Sequence, residues 1–234
     1  DDSADDSDDD DATADDDHCV LQRDPPNYSQ ARICVRTAAA MDRARFVVDA
    51  EAGRGVRAYV VDTGVRATHR EFDVQRASLA KSFVDSEDDA DNNGHGTMTS
   101  GVLAGATVGV AKNVTVRMVK ALNRHFQLED VASMLRAYEF IAADRRSHDG
   151  AVVVSMSFGV GDGGSAALDK LVCTLVNELE VQVVVSAGNF NGDACVRSPQ
   201  RSRCALVVGG TYVSGFASSA AGGSRGAGGG RREH

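Results

Sequence analysis

Short apolar runs and amphipathic stretches alternate along the middle of this chain. Nearly continuous apolar runs are typical of strands that are buried on both faces of a parallel sheet. Such runs predict strands at residues 56–61, 114–119, 151–157, 181–185 and 205–208. Small and apolar residues, or apolar residues at helical spacing, predict helices at residues 95–104, 129–143 and 167–179. This alternation predicts an α/β fold with a doubly wound, mostly parallel sheet and helices on both faces.

The two ends of the chain differ in composition from the middle. Eleven of the first seventeen residues are Asp, so residues 1–17 are expected to be a disordered acidic tail. Residues 213–234 are rich in Gly, Ser and Ala and predict a flexible tail. One domain is therefore expected over residues 18–212, and within it residues 31–33 are interpreted as an extended stretch.

The charge balance changes once the acidic tail is set apart. The chain carries a formal charge of −9, and residues 18–234 carry about +2, the difference between −9 and the −11 of the tail. This nearly neutral body gives no indication of a nucleic-acid partner. No apolar run reaches the length of a membrane span and no signal peptide is present in the printed sequence, so no membrane partner is expected.

The cysteines and carboxylates do not define a metal site. Five cysteines at wide spacing show no C-x-x-C pattern, namely Cys19, Cys34, Cys173, Cys195 and Cys204. An odd number fits an exported protein with disulfides and one missing partner, and it equally fits inert buried thiols. The acidic loop at residues 85–93 has enough carboxylates for a structural calcium ion, although a solvated loop is the commoner explanation. No metal ligand and no cofactor are predicted beyond that.

Three polar residues are predicted to meet at one edge of the sheet. Asp62 ends the first predicted strand, His95 opens the first predicted helix, and Asn189 follows the strand at residues 181–185. In doubly wound sheets, ligands bind at the carboxyl ends of strands and the amino ends of helices. A carboxylate that binds His Nδ1 prepares a general base, and an Asn amide stabilises an oxyanion. We expect Asp62 and His95 to be hydrogen-bonded, and the helix N-terminus to lower the pKa of His95.

Four segments resemble the motifs of subtilisin-like serine proteases (subtilases, peptidase family S8). YVVDTGV at residues 59–65 is similar to their aspartate motif, and NGHGT at residues 93–97 is similar to their histidine motif. VSMSFG at residues 154–159 resembles their substrate-pairing strand. SAGNFNGDAC at residues 186–195 resembles the oxyanion-asparagine segment, in the form used by the proteinase K-like branch. The resemblance extends over about residues 30–210.

The resemblance implies a secreted or extracellular serine endopeptidase that hydrolyses peptide bonds by an Asp-His-Ser mechanism. Asp62 and His95 would be two triad members, and Asn189 would donate to the oxyanion. Substrate would pair with Ser157, Phe158 and Gly159. The resemblance further implies a peptide or protein substrate, an inhibitory prodomain and a monomeric enzyme.

The sequence also departs from the subtilase pattern. The nucleophile motif, Gly-Thr-Ser-Met-Ala, is absent from the printed sequence. Ser224 fits G-x-S-x-G as letters, but glycines flank it where a nucleophile elbow needs a strand and a helix. Residues 125–128 lack the glycine-rich edge that subtilases pair with substrate, and relatives bond a cysteine placed like Cys195 to one further downstream.

We therefore expect a catalytic domain that is truncated, and a fold that is incomplete, at the C-terminus. This chain is expected to be inactive, because loss of such a serine costs about 10⁶ in kcat. A non-catalytic, peptide-binding pseudoprotease is the alternative, although it has no physical need of Asp62, His95 and Asn189 together. A nucleotide-binding domain is disfavoured, because DTGV at residues 62–65 stands where G-x-G-x-x-G would be required.

Overall fold

The computed structural model describes residues 19–23, 25, 27–34, 45–73, 75–161 and 163–210. The chain divides into two compact units, and the second unit begins at Gly53. Both predicted tails, and with them Ser224, lie outside the described residues. Within the described ranges, no helix is long and apolar enough to cross a membrane.

The described residues of the first unit form one helix and one antiparallel strand pair. Its elements are β1 (Cys19–Arg23), α1 (Tyr28–Cys34) and β2 (Arg45–Asp49). The prediction of an extended stretch at residues 31–33 was wrong, because this segment belongs to α1. Asn27 Oδ1 accepts a hydrogen bond from the Gln30 amide at 2.9 Å, which caps the helix at its start.

The second unit is built on a six-stranded parallel sheet with the order β4-β5-β3-β6-β7-β8. The strands are β3 (Arg57–Asp62), β4 (Ala77–Ser82), β5 (Thr115–Lys120), β6 (Val152–Met156), β7 (Gln182–Ser186) and β8 (Leu206–Val208). The helices between them are α2 (His95–Ala104), α3 (Val131–Arg146) and α4 (Ala166–Asn177). The doubly wound α/β fold expected from the sequence is confirmed.

Helices cover both faces of the central strand β3. Tyr59 and Val61 point into an apolar cluster that includes residues of α3 and α4. Ala58 and Val60 point into a second cluster, which includes Ala104 of α2. Because both faces are covered, β3 is buried from Ala58 to its last residue. The strand therefore holds its C-terminal residue, Asp62, in a rigid setting.

One disulfide ties the last helix to the segment before the last strand. Cys173 of α4 is bonded to Cys204, which lies two residues before β8. Cys195, like Cys19 and Cys34, is a free thiol. The bond brings α4 and the approach to β8 together across 31 residues of sequence.

Candidate active site

Asp62 and His95 meet at the carboxyl edge of the sheet. His95 Nδ1 lies 2.8 Å from Asp62 Oδ1 and 2.9 Å from Oδ2, so the predicted hydrogen bond is present. The Asp62 side chain is fully buried, whereas that of His95 is 28% exposed. In the part of the chain that the structure describes, no group is hydrogen-bonded to His95 Nε2. The imidazole is thus anchored on one nitrogen and open on the other.

The carboxylate of Asp62 is held by further donors. Oδ1 accepts a hydrogen bond from the Thr63 amide at 2.7 Å, and Oδ2 accepts one from Thr99 Oγ1 at 3.3 Å. Because both oxygens of Asp62 accept hydrogen bonds, His95 carries its hydrogen on Nδ1 and donates it to this carboxylate. Nε2 is then the basic nitrogen whenever the ring is neutral.

Glycine allows the helix that carries His95 to approach the end of β3. Gly94 caps α2 with φ 94°, a left-handed conformation that glycine adopts without strain. At Gly96, an added Cβ would lie only 2.2 Å from the carbonyl oxygen of Gly64. The Gly96 amide also donates to Thr63 Oγ1 at 2.9 Å. The close contact of the two backbones brings Asp62 and His95 together.

Asp91 organises the start of α2. Its carboxylate accepts hydrogen bonds from the Gly94 amide at 2.8 Å, the Thr97 amide at 2.9 Å and Thr63 Oγ1 at 2.8 Å. Burial alone would raise the pKa of Asp91, but the hydrogen bonds from Thr97, Gly94 and Thr63 outweigh it and lower the pKa. A negative charge therefore sits at the helix N-terminus, where the helix dipole favours it.

The pKa of His95 is raised above its ordinary value of 6.5. The hydrogen bond with Asp62 is the largest cause, and it outweighs the lowering effect of burial. The charges of Asp62 and Asp91 raise the pKa further. The expectation that the helix N-terminus would lower this pKa was wrong, because two carboxylates dominate the field at that helix end.

Phe126 covers one side of His95. The two rings meet edge-to-face, with centroids 4.5 Å apart and an interplanar angle of 63°. Phe126 has φ 60°, a left-handed conformation that is rare for a bulky residue. The position of this aromatic ring beside His95 thus depends on an unusual backbone conformation.

The loop that carries Phe126 is closed on itself. Asn123 Oδ1 accepts hydrogen bonds from the amides of His125 at 2.9 Å and Gln127 at 3.1 Å. The Phe126 amide donates to the Asn123 carbonyl at 2.9 Å. The amides of three successive residues are thus used inside the loop, so residues 125–127 cannot offer them to a substrate backbone. This agrees with the sequence, in which residues 125–128 lack the glycine-rich edge of subtilases.

A cavity of about 480 Å³ adjoins Phe126. Ser157, Phe158 and Gly159 line it, as do Leu128 and Phe126. The predicted substrate-pairing segment therefore borders a space large enough for a side chain of a ligand. His95 itself does not line this cavity, and Phe126 contacts both.

Asn189 lines the same cavity. It is exposed and follows Gly188, whose φ of 91° turns the chain sharply after β7. Its side chain makes no hydrogen bond to any of the described residues. The side-chain amide of Asn189 is therefore free to donate a hydrogen bond to a ligand. The predicted oxyanion role requires such a free donor. The structure shows no direct contact between Asn189 and His95.

Gln200 is a buried residue that sequence analysis missed. Its Nε2 donates to the carbonyls of Phe158 and Ser186, each at 2.9 Å, so it ties the ends of β6 and β7 together beside the cavity. No periodic pattern surrounds Gln200 in the sequence to indicate this. Asp91 was also missed, although an Asp within a few residues of a predicted helix start is a known capping signal.

No metal centre is found in the part of the chain described. There, no group of three or more His, Cys, Asp and Glu side chains is arranged to hold a metal ion. In the acidic loop suggested for calcium, the carboxylate of Asp91 is engaged by backbone amides and hydroxyl groups.

The chain is similar to known proteases. The sequence model of the subtilase family, peptidase S8, matches residues 53–227. Cerevisin of Saccharomyces cerevisiae is 37% identical over 176 residues, which cover 73% of this chain and 27% of cerevisin. An extracellular serine proteinase of a Thermus species is 37% identical over 167 residues, which cover 71% of this chain and 39% of that protein. The chain therefore spans only 27% of the length of cerevisin and 39% of the length of the Thermus proteinase.

A similar arrangement exists in a solved structure. The crystal structure of a cold-adapted subtilisin-like serine proteinase is 36% identical in sequence and superposes with a TM-score of 0.62. The match covers 69% of this chain and 56% of that chain. The likeness thus extends to both sequence and fold over most of the chain.

Proposed function

Because this chain belongs to the subtilase family, we propose that it forms part of a serine endopeptidase that hydrolyses peptide bonds by an Asp-His-Ser mechanism. Asp62 and His95 supply two members of the triad. The observation that carries the proposal is the hydrogen bond from His95 Nδ1 to the buried carboxylate of Asp62 at the carboxyl edge of the sheet. The third member is a serine from outside the described residues.

The proposed reaction uses His95 as a base and then as an acid. Nε2 takes the proton of the serine hydroxyl while the serine oxygen bonds to the carbonyl carbon of the peptide. The C–N bond then breaks, and His95 returns the proton to the leaving amine. Water, deprotonated by the same nitrogen, hydrolyses the acyl-enzyme and restores the serine. Asp62 keeps Nε2 in the basic form and stabilises the imidazolium.

Asn189 and the cavity complete the proposed site. The unbonded amide of Asn189 donates to the oxygen that becomes negative when the serine adds to the carbonyl. Ser157, Phe158 and Gly159 bind the peptide backbone, and the adjoining cavity receives one of its side chains. Gln200 keeps the two strand ends that carry these groups at a fixed separation.

The 234-residue chain by itself is proposed to be inactive. No described serine hydroxyl is hydrogen-bonded to His95, and the printed sequence lacks Gly-Thr-Ser-Met-Ala. Without a nucleophile, Asp62 and His95 cannot form an acyl-enzyme. The chain is therefore expected to resist labelling by fluorophosphonate probes.

We extend the proposal to location and substrate. One relative is named as an extracellular proteinase, and the disulfide between Cys173 and Cys204 is compatible with an oxidising compartment. These two observations support an exported enzyme, and a peptide or protein substrate is part of the proposal. An inhibitory prodomain, a monomeric state and membership of the proteinase K-like branch stay predictions.

A chimera tests the machinery directly. Residues 1–210 of this chain are joined to the part of the Thermus proteinase that lies beyond the aligned region, and hydrolysis of a peptide ester is measured. We expect turnover and fluorophosphonate labelling in the chimera but not in the 234-residue chain. His95→Ala should reduce kcat by about 10⁶, a magnitude that comes from subtilisin. A folded chimera that binds peptide but does not turn it over would favour the pseudoprotease.

A further inference from the structure

A buried ion pair lies beside the Asp62–His95 pair. Lys120 is the last residue of β5 and stands opposite Asp62 in the parallel register of β3 and β5. Its Nζ lies 2.8 Å from Glu87 Oε1, and the two side chains are only 0% and 2% exposed. Removing two charges from water is costly, and a well-packed apolar pair is often as stable. Packing alone therefore does not explain why this ion pair is buried. Its location opposite Asp62 indicates a role at the site.

Lys120 connects the end of β3 with the loop before α2. Its ammonium group donates to the Thr63 carbonyl at 2.8 Å and to the Ala90 carbonyl at 2.6 Å. The ammonium group thus donates two hydrogen bonds to backbone carbonyls and forms its ion pair with Glu87. Thr63 directly follows Asp62, and Ala90 directly precedes Asp91. One side chain thus fixes the neighbours of both carboxylates that raise the pKa of His95.

The connection continues to the first turn of α2. Asp91 accepts hydrogen bonds from the amides of Gly94 and Thr97, and Thr63 Oγ1 accepts one from the amide of Gly96. These amides belong to residues on either side of His95. A displacement of Thr63 or Ala90 would therefore be transmitted to the start of the helix.

Glu87 makes a second connection, through Arg124. Glu87 Oε2 accepts a hydrogen bond from Arg124 Nε at 2.7 Å. The Arg124 carbonyl accepts one from Asn93 Nδ2 at 2.8 Å, and Asn93 Oδ1 accepts one from the amide of His95 at 3.2 Å. Burial alone would raise the pKa of Glu87, but its hydrogen bonds with Lys120 and Arg124 lower it to about 2. Glu87 therefore stays ionised at neutral pH.

We propose that Lys120 and Glu87 are positioning residues that set the geometry of the Asp62–His95 pair. Neither residue is bonded to Asp62 or His95 through its side chain, so both act through Thr63, the loop at residues 87–91 and the start of α2. The proposal rests on the proposed function in that the positioned pair is the catalytic one.

A charge effect and a positioning effect predict different signs. If the ion pair acted on His95 only through its charges, Lys120→Met would raise the pKa of His95 and Glu87→Gln would lower it. If the ion pair positions the site, both substitutions weaken the hydrogen bond between Asp62 and His95. Because that bond is the largest cause of the raised pKa, both substitutions should then lower it.

The test is an NMR titration of His95 in the 234-residue chain with labelled histidine. We expect the pKa of His95 to fall by at least about half a unit, a threefold change in the protonation equilibrium, in Lys120→Met and in Glu87→Gln. Arg57→Met is the matched control, because it breaks a 2.7 Å ion pair between Arg57 and Asp144, and Arg57 begins β3 at the end opposite Asp62. It should leave the titration of His95 unchanged. Because protonation is measured rather than turnover, failure of the proposed peptidase activity would not alter this result.

Lys120→Arg provides a second reading. It keeps the charge but not the geometry of the two hydrogen bonds and the ion pair, so we expect the pKa of His95 to fall here too. Shifts of opposite sign in Lys120→Met and Glu87→Gln, or no shift in either, would overturn the proposal. If neither Lys120 variant retains a cooperative thermal transition, Lys120 supports the fold as a whole and a local positioning role is wrong.

Discussion

The ring of Phe126 meets the ring of His95 edge-to-face while its own backbone is held at φ 60°. A left-handed conformation of a bulky residue costs about 1–2 kcal/mol. The loop tolerates this cost because Asn123 binds the amides on both sides of Phe126. Substitutions of Phe126 can separate the effect of its backbone strain on stability from the effect of its ring on His95.

Phe126→Gly and Phe126→Ala should have the same effect on His95 but different effects on stability. Both remove the ring that shields the imidazole from water. Since burial lowers the pKa of His95, both should raise that pKa in an NMR titration. Only glycine also relieves the backbone strain, so the glycine variant should be more stable than the alanine variant by about 1 kcal/mol in urea unfolding. Equal stabilities would show that φ 60° is not strained here.

The raised pKa of His95 should depend on Asp62. Asp62→Asn keeps the shape of the side chain but removes its charge, so the pKa of His95 should fall. The other histidine signals in the same NMR spectrum provide an internal control. A pKa that remains above 6.5 in this variant would show that the hydrogen bond with Asp62 is not its main cause.

The same shift makes stability depend on pH. When the pKa of a group is higher in the folded state than in the unfolded state, its protonation stabilises the fold. This stabilisation is complete when the pH is below the pKa of the unfolded state. The stabilisation is lost as the pH rises through the pKa of the folded state. The free energy of unfolding of the wild type, minus that of His95→Asn, should therefore be larger at about pH 5.5 than at about pH 9. The opposite trend in urea titrations would contradict the direction of the pKa shift.

Two glycines of α2 should respond in opposite ways to alanine. At Gly96 an added Cβ would lie 2.2 Å from the Gly64 carbonyl, so Gly96→Ala should destabilise the chain by about 1–3 kcal/mol or more. At Gly101 the nearest atom would be 3.9 Å away, so Gly101→Ala should stabilise the helix by about 0.5–1 kcal/mol. Thermal unfolding of both variants measures the difference. Similar changes in both would mean that α2 does not depend on its contact with Gly64.

Asn189→Ala should affect turnover and leave stability unchanged. Its side chain is exposed and unbonded among the described residues, so the melting temperature should stay within experimental error. In the chimera with a serine, kcat should fall by about 10²–10³ with little change in KM, a magnitude carried over from subtilisin. A rise in KM with unchanged kcat would indicate that Asn189 binds the substrate and not the oxyanion.

The elements with strong local signals were predicted closely. The helix at residues 95–104 has the predicted bounds, because glycines and small residues mark both of its ends. α3 begins at Val131 and not at residue 129, because Asp130 caps it through the Ser133 amide. β4 was not predicted, since its sequence ASLAKS shows neither alternation nor a continuous apolar run. Among the described strands it pairs with β5 alone, and this position at the sheet edge explains the weak pattern.

At the site, the sequence indicated contacts better than it indicated electrostatics. The hydrogen bond between Asp62 and His95 follows from a strand end and a helix start that meet at one sheet edge. The direction of the His95 pKa shift could not be predicted in this way, because it depends on the balance between that hydrogen bond, burial and the charge of Asp91. Lys120 gave no signal either, since a lysine that ends an apolar strand is usually solvated.

The burial of β3 on both faces has a consequence for mutation. Its alternate residues belong to two different cores, one that holds Tyr59 and Val61 and one that holds Ala58 and Val60. Inserting or deleting one residue within β3 would exchange these side chains between the cores, because successive residues of a strand face opposite sides. It would also turn Asp62 away from His95. Evolution can therefore vary this strand by substitution of similar apolar residues, whereas changes in its length are excluded.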